Sequence, residues 1–405
     1  MCLKILVNSA GGGGAELQAA LLAGVLQADF ILLEDDGSPA RAGTPAYTAL
    51  AKKCPVLPGA AKTALLSFYA GRLAAAVKPG DTVLSFMQRS NFVNVLAARK
   101  SGHRAVICEV TQPSREYSGA RGLLMKPLIR RLYPRAALVI SNSKGNALDL
   151  EENFGFAPGK VQVIYNSCDT EAVRRLAAEP LEAGLAPVFK RPVIITSGRF
   201  TAAKGQWHLP GILAGVKTAV PDAALVLLGD GELREALLGS CAALGLKTWR
   251  AGRGAPTGRE DVFFPGFVPN PYKYLARARV FAFPSLWEGL PNAVIEALAC
   301  GLPVIASDCR SGPRELLAPA TDFRGEAAAP EATGCGWLLP PFPVLPPGAP
   351  VETTAVQRMW TEKLAALLRS EADQKLFGNA ARKRAEDFAP AVKAAEWRRT
   401  LGLTS

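Results

Sequence analysis

Short apolar runs rich in Val, Ile and Leu recur along the chain, and segments of helical period separate them. The runs fall at Lys4–Val7, Phe30–Leu33, Thr82–Phe86, Ala105–Glu109, Leu138–Ser141 and Val161–Tyr165. A second series follows at Val193–Thr196, Ala224–Leu228, Val262–Phe264, Val280–Phe283 and Pro303–Ala306. Helical stretches between them include Ala15–Leu26, Phe92–Lys100, Gly205–Lys217 and Pro291–Ala299. Strand–helix alternation of this kind predicts parallel sheets covered on both faces. The two series open alike, with a strand, a glycine-bearing loop and a helix. Ile5–Val7 precedes Gly11–Gly14, and Ile194–Thr196 precedes Gly198–Gly205. The expected fold class is therefore α/β, with two Rossmann-like parallel-sheet domains facing a central cleft. A length of 405 residues is in keeping with two or three domains. The join is placed in Cys168–Lys190, giving residues 1–175 and 176–385. Pro340–Pro350 reads as a Pro-rich loop, followed by helix formers from about Thr354.

Hydrophobic residues at 49% and charged residues at 20% allow each domain a core and exclude a disordered or fibrous chain. Lys and Arg number 47 against 35 Asp and Glu, a formal charge of +12 that suits an anionic partner. Eight cysteines form no Cys-x-x-Cys pair and only two histidines occur, so no metal site is expected. Scattered single cysteines read as reduced, mostly buried thiols of a cytosolic chain. The amino terminus runs straight into glycines, without the apolar core of a signal peptide. No apolar run approaches the ~20 residues of a membrane span. The expectation is a cytoplasmic protein, soluble or peripheral at the inner face of the membrane.

Ligands of open α/β sheets bind beyond the carboxyl ends of the strands, so the loops that follow strands carry the chemistry. The segment Phe283–Pro303 is the richest. Glu288 and Gly289 lie in a tight loop after a strand, Pro291 suits a first helical turn, and Gly301 ends the helix. Val294, Ala297 and Leu298 share one face of that helix, and Glu296 lies off it. Backbone donors and a partial positive charge at the helix start can seat a diphosphate. Two carboxylates beside such a seat suit hydroxyls, Glu288 those of a sugar and Glu296 those of a ribose. Taken alone, the motif is equally a helix with an acid in its leading loop and one solvated Glu.

Arg199 and Lys204, in the loop after Val193–Thr196, can both reach a pyrophosphate. Arg offers a planar fork and Lys a mobile point charge, and together they can stabilise a departing diphosphate. Alone they make an exposed basic loop; emergence on the same sheet edge as Glu288 favours the functional reading. In Ser9–Glu16, Gly11 and Gly13 begin a dinucleotide fingerprint, but Glu16 stands where a third glycine belongs. Acids at Glu34, Asp35 and Asp36 keep an NAD reading open but weak. The alternatives are a loop that closes over the cleft with Glu16 on sugar hydroxyls, or a glycine turn capped by an acid. Gly229, within Leu228–Glu232, is placed along the nucleotide pocket, and Val268, within Pro265–Asn270, around the base. Glu109 ends a strand and faces the cleft by position. His103 reads as a surface residue and His208 as structural. Arg121, Lys126, Arg130 and Arg131 are interleaved with Leu123, Leu124, Leu128 and Ile129. This amphipathic stretch fits an anionic lipid surface, or is a core-facing helix with a solvated basic side. No groove-reading or single-strand motif accompanies it, so no nucleic acid is expected.

In motif order, the chain resembles the family-four retaining glycosyltransferases of GT-B architecture, of the bacterial type acting on lipid-linked glycans and cell-envelope polysaccharides. Glu288-Gly-Leu-Pro-Asn-Ala-Val-Ile-Glu296 matches the family's E-x7-E motif. Ser197-Gly-Arg-Phe and Lys204-Gly match its phosphate loop, and Gly13-Gly-Ala-Glu16 its first-domain glycine loop. Asn166-Ser-Cys-Asp169, Leu228-Gly-Asp-Gly and Pro265-Gly-Phe fall in family order as well. The resemblance implies a nucleotide-diphosphate sugar on the second domain. Arg199 and Lys204 would neutralise the diphosphate, Glu288 would contact the sugar and Glu296 the ribose. Gly198, Gly229, Val268, Gly289, Leu290, Pro291 and Asn292 would complete the donor site. The acceptor, a glycan or lipid-linked glycan, would meet Gly12, Gly13, Gly14, Glu16 and Glu109 on the first domain. It further implies retention of anomeric configuration, no cofactor beyond the donor and no metal. The final helix, 386–405, would cross back onto the first domain. Many relatives carry a His after the strand that ends here at Cys108-Glu109; this chain has none, so the group that activates the acceptor stays unassigned. The expected activity is transfer of a hexose or N-acetylhexosamine from a UDP-sugar to a glycan hydroxyl. The alternatives are a nucleotide-sugar epimerase and a non-enzymatic basic adaptor for membrane or nucleic acid.

Overall fold

Every apolar run expected as a strand is one in the structure, a computed structural model that describes residues 2–11, 13–35, 37, 44–52, 65–117, 119–343 and 354–403. The chain divides into two units, residues 1–167 with 388–405, and residues 168–387.

In the first unit the strands are β1 (Leu3–Val7), β2 (Asp29–Asp35), β3 (Tyr47–Lys52), β4 (Thr82–Phe86), β5 (Arg104–Glu109), β6 (Leu138–Ser141) and β7 (Gln162–Val163). They form one sheet in the order β3-β2-β1-β4-β5-β6-β7, with every neighbouring pair parallel. Side chains alternate between its two faces, as a strand's period of two requires. Ile5, Val7, Leu84 and Val106 pack on one side, and Leu6, Val83 and Ile107 on the other. The first of these faces is closed by the helix Pro390–Leu401 through Trp397 and Leu401. Arg104 Nη1 donates to the Leu401 carbonyl at 2.6 Å, so the carboxyl-terminal helix belongs to the first unit.

The second unit holds β8 (Val193–Ser197), β9 (Ala224–Leu228), β10 (Thr248–Arg250), β11 (Val262–Gly266), β12 (Val280–Phe283), β13 (Val304–Ser307), β14 (Glu331–Thr333) and β15 (Gly336–Leu339). Their order is β10-β11-β9-β8-β12-β13-β15-β14, parallel except for the β14–β15 hairpin. The join falls at Ser167/Cys168, before the expected boundary at 175. The helix Thr170–Ala177, capped by Asp169, explains the difference. Asn270 Nδ2 and Arg277 Nη1 donate to its last carbonyls, Leu176 and Ala177, and tie it to the second unit. Expected helix Gly205–Lys217 is instead a 3₁₀ turn, Gln206–His208, leading into an α-helix Leu209–Ala219. The expected loop at Pro340–Pro350 lies mostly outside the described residues.

The helix expected at Phe92–Lys100 begins earlier, at Gln88, because its first turns bury a polar face. Asn91 and Asn94 are fully buried and bond Ser85, Tyr133 and the carbonyls of Val83, Val106 and Cys108. His103, expected at the surface, is buried in this network. Its Nε2 lies 2.8 Å from Asn94 Oδ1 and its Nδ1 2.6 Å from Ser101 Oγ. Burial pulls its pKa down to about 4, against the opposing pull of Asp81. His208, buried and stacked at 4.0 Å on Phe342, is pulled down to about 4 by burial alone.

Both shifts favour the neutral imidazole in the fold. Their contribution is complete above the unfolded value near 6.5 and is lost as pH falls toward 4. By pH 5 the loss is about 2 kcal/mol per histidine. The urea midpoint is therefore expected to drop between pH 7 and pH 5. His208→Phe, which keeps the stacking on Phe342, should remove roughly half of that drop. An identical drop in this variant would show that His208 does not contribute.

Candidate active site

In the second sheet the chain runs from β8 outward to β9 on one side and returns with β12 on the other. The crevice between β8 and β12 is thus the topological switch point, where open parallel sheets bind ligands. The loops after β8 and β12 meet there. Leu286 N donates to the Ala203 carbonyl at 2.8 Å. Gly205 has φ +59, and a Cβ there would overlap the Pro284 carbonyl oxygen, so only glycine permits this approach. The next loop is bound just as closely. Gly198 N donates to the Leu228 carbonyl and Phe200 N to the Asp230 carbonyl. Gly229, at φ +131, faces the Gly198 carbonyl with no room for a side chain. Gly229 N donates in turn to the Gly266 carbonyl, which places the loop carrying Val268 beside it.

On this frame Lys204 Nζ lies 2.6 Å from Glu288 Oε1 and 5.9 Å from the Phe283 ring centroid. The Glu288 side chain is 9% exposed and that of Lys204 29%, so Lys204 is the more open member of the pair. Arg199 leans toward the β9 loop, where it pairs with Glu232 at 3.4 Å, and is largely exposed. The structure therefore joins Lys204 to Glu288 and holds Arg199 on the same loop but apart from them. Gln206, which sequence reasoning passed over, is buried under this loop and donates through Nε2 to the Arg199 carbonyl at 3.3 Å.

After Glu288 the chain passes Gly289, Leu290 and Pro291 into the helix Asn292–Ala299, whose buried face is Val294, Ile295, Ala297 and Leu298. Pro291, the expected first residue, is its N-cap, so the helix starts one position later than expected. Glu296 sits off the buried face as expected. Tyr272 OH donates to its Oε1 at 3.4 Å, and burial and Glu296 both push that hydroxyl's pKa up. Cys309, in the loop after β13, is buried beside the ion pair, and burial and Glu288 push its thiol well up. Tyr272, Gln206 and Cys309 had no signal in the sequence, because each reaches the site through tertiary packing.

In the first unit Gly13 caps the helix Gly14–Leu26, and the Glu16 carboxylate folds back over Gly13. Gly12 lies outside the described residues. Glu109 requires a correction. It was expected to face an acceptor, but it is fully buried. Its Oε1 accepts from Gln88 Nε2, Val110 N, Thr111 N and Thr111 Oγ1, and its Oε2 from Tyr133 OH. Burial pushes its pKa up, and the hydrogen bonds from Thr111, Tyr133 and Val110 oppose that shift. A carboxylate so enclosed cannot touch a substrate hydroxyl.

The basic stretch is a helix, Gly119–Leu132, that continues through Pro127 and buries Gly122, Ile129 and Leu132. Leu123 is 81% exposed and Leu124 43%. Arg121 covers the Tyr117 ring at 4.8 Å, Arg130 donates twice to the Asn153 carbonyl, and Arg131 is exposed. Lys126 is half-buried. Among the described residues no helix is long and apolar enough to cross a membrane, and no three His, Cys, Asp or Glu gather as a metal site.

Residues 12–172 match the family model described as Glycosyltransferase Family 4, and residues 191–333 the one described as Glycosyl transferases group 1. Together they span about three quarters of the chain. One curated relative is the N-acetylgalactosamine-N,N'-diacetylbacillosaminyl-diphospho-undecaprenol 4-alpha-N-acetylgalactosaminyltransferase of Campylobacter jejuni. It is 38% identical over 241 residues, covering 58% of this chain and 60% of the relative. An uncharacterized glycosyltransferase of Methanocaldococcus jannaschii is 36% identical over 55% of this chain and 52% of its own length. The chain thus spans somewhat over half the length of these curated relatives. Among solved structures, Anabaena HepE in complex with UDP and glucose aligns with a TM-score of 0.72 at 18% identity, over 100% of both chains. The sucrose-phosphate synthase of Thermosynechococcus elongatus aligns with a TM-score of 0.72 at 16% identity, again over 100% of both chains. At such identities these two speak for the fold alone. With one glycosyltransferase model matched in each half, and two parallel-sheet α/β units aligned over their whole length, the chain belongs to the GT-B glycosyltransferases.

Proposed function

We propose that the chain transfers a hexose or N-acetylhexosamine from a UDP-sugar to a glycan hydroxyl, with retention and without a metal. The observation that carries this reading is the Lys204–Glu288 pair at the β8/β12 switch point, one turn before the start of the helix Asn292–Ala299. The helix-end amides and the Lys204 ammonium offer positive charge to a diphosphate, and Arg199 adds a second cation from the same loop. As the sugar–phosphate bond breaks, negative charge grows on the leaving phosphate, and fixed cations stabilise that state most. Glu288, paired with Lys204, accepts hydrogen bonds from sugar hydroxyls and so orients the donor. Glu296 serves the ribose.

The acceptor in this reading is lipid-linked. Its support is the substrate named for the Campylobacter relative, together with the exposed Leu123 and Leu124 among basic residues. The helix Gly119–Leu132 then docks at the anionic inner face of the cell membrane. Reversing Arg121, Lys126 and Arg131 to Glu is expected to abolish sedimentation with vesicles containing phosphatidylglycerol. Binding to neutral vesicles should stay equally low before and after the change. Undiminished sedimentation of the triple variant would remove this helix from the account.

The activity itself is tested with a panel of UDP-, GDP- and ADP-sugars and polyprenyl-diphosphate-linked saccharides. UDP release and an NMR spectrum of the product are followed together. Transfer from a UDP-sugar with the donor's anomeric configuration kept is expected. Interconversion of the donor sugar without an acceptor would show an epimerase instead.

A further inference from the structure

The first sheet has a switch point of its own. The chain runs outward from β1 through β2 to β3 and returns with β4 on the other side of β1, so the crevice lies between β1 and β4. The chain leaves β4 through Met87, which adopts φ 71 and ψ 150, a conformation that side chains other than glycine rarely enter. Asn8, just after β1, steadies this turn: its Nδ2 donates to Met87 Sδ at 3.5 Å and its Oδ1 accepts from Ser90 Oγ at 2.9 Å. Gln88 follows as the first residue of the helix.

Gln88 is 7% exposed, and its amide orientation is dictated by its neighbours. Nε2 lies 2.8 Å from Glu109 Oε1 and 2.8 Å from Thr111 Oγ1. Glu109 Oε1 accepts from the Val110 and Thr111 N–H groups, so it accepts from Gln88 as well. Thr111 Oγ1 already donates to Glu109, so it too accepts from Gln88. Both amide hydrogens are therefore directed inward, and the carbonyl oxygen Oε1 faces away from these partners. Among the described residues no hydrogen bond reaches Gln88 Oε1, and that oxygen is not sealed from solvent. A buried amide fixed by two partners, with a single open acceptor atom at a switch point, is built to receive a donor from a ligand.

We propose that Gln88 Oε1 accepts a hydrogen bond from a hydroxyl of the acceptor sugar, and that Glu109 is the positioning residue behind it. This rests on the glycosyltransferase reading and assigns to that reaction an acceptor-binding residue. It also gives buried Glu109 a role it can perform. The donors around it hold its carboxyl group in one place, and Oε1 ties the Thr111 loop and the Gln88 amide together. A neutral amide at position 109 would turn its own N–H groups toward other donors and release Gln88 to rotate.

The test measures acceptor binding without turnover. Methyl α-glycosides of galactose, glucose, N-acetylgalactosamine and N-acetylglucosamine are titrated against the full chain by saturation-transfer NMR. UDP binding is followed on the same samples by thermal shift. At least one glycoside is expected to bind the wild type. Gln88→Leu should weaken that glycoside about tenfold, the value of one hydrogen bond in a desolvated site, and Glu109→Gln comparably. The UDP response should be the same in all three proteins. Thr111→Val removes the hydroxyl that anchors Nε2 and serves if Gln88→Leu does not fold; it should weaken the glycoside about threefold. Glycoside affinity unchanged in the folded variants would overturn the assignment, and so would a wild type that binds none of the four. Failure of the glycosyltransferase reading shows separately, as absence of a response to UDP and UDP-sugars while glycoside binding still depends on Gln88.

Discussion

Lys204→Met is expected to lower turnover about a hundred- to a thousandfold, the usual cost of removing one fixed charge-stabilising group at a reacting centre. Two effects add. The leaving phosphate loses the ammonium, and Glu288, whose side chain is 9% exposed, loses the cation 2.6 Å away. An uncompensated carboxylate at that spot would repel the donor diphosphate as well. Lys204→Arg keeps the charge but exchanges a mobile point for a planar fork, so partial activity is expected from it. Rates of UDP release at saturating donor distinguish these outcomes. A Lys204→Met enzyme as fast as the wild type would remove Lys204 from the chemistry.

The largest effect on stability is expected from Arg314→Met. Arg314 is buried at the start of the helix Pro313–Leu317. Its Nε and Nη2 donate to Asp308 Oδ2 at 3.0 and 2.5 Å, and its Nη1 and Nη2 to Glu331 at 3.1 and 2.7 Å. The Asp308 side chain is 1% exposed, with Ala327 N as its remaining donor. Removing the guanidinium alone strands a buried carboxylate, which costs about 3–5 kcal/mol. The bridge also braces the candidate site. It fixes the loop after β13, whose Gly312 packs so closely that a Cβ there would lie 2.7 Å from the Gly289 carbonyl oxygen. Urea denaturation should therefore show a large loss for Arg314→Met and recovery of much of it in Arg314→Met/Asp308→Asn, where the one carboxylate left without its cation, Glu331, is 35% exposed. Equal losses in the single and double variants would show that packing, and not the stranded charge, sets the cost.

Central strands were legible because parallel strands buried on both faces are apolar along their length, as in β9 and β12. The edges were not. β3 carries exposed Tyr47 and Thr48, β10 is three residues long, and β14 and β15 pair across the glycine turn at Gly334. Lys204 and Glu288 were legible because each lies in a loop directly after a strand of the same sheet, and neighbouring parallel strands bring such loops together. Glu109 misled for the opposite reason. Its place at a strand end is the same kind of signal, but the groups that enclose it come from Gln88, Thr111 and Tyr133, on three different segments. His103 misled in the same way: its enclosure depends on Asn94, a buried polar residue on a helix whose first turns carry no apolar period.

Binding of nucleotide sugars by calorimetry, with wild type and Lys204→Met side by side, bears most directly on the donor site between β8 and β12. Saturable binding of at least one UDP-sugar, weakened at least tenfold by the substitution, is the outcome this geometry requires. A wild-type protein that takes up no UDP-, GDP- or ADP-sugar, or one that binds them equally well without the Lys204 ammonium, would contradict it.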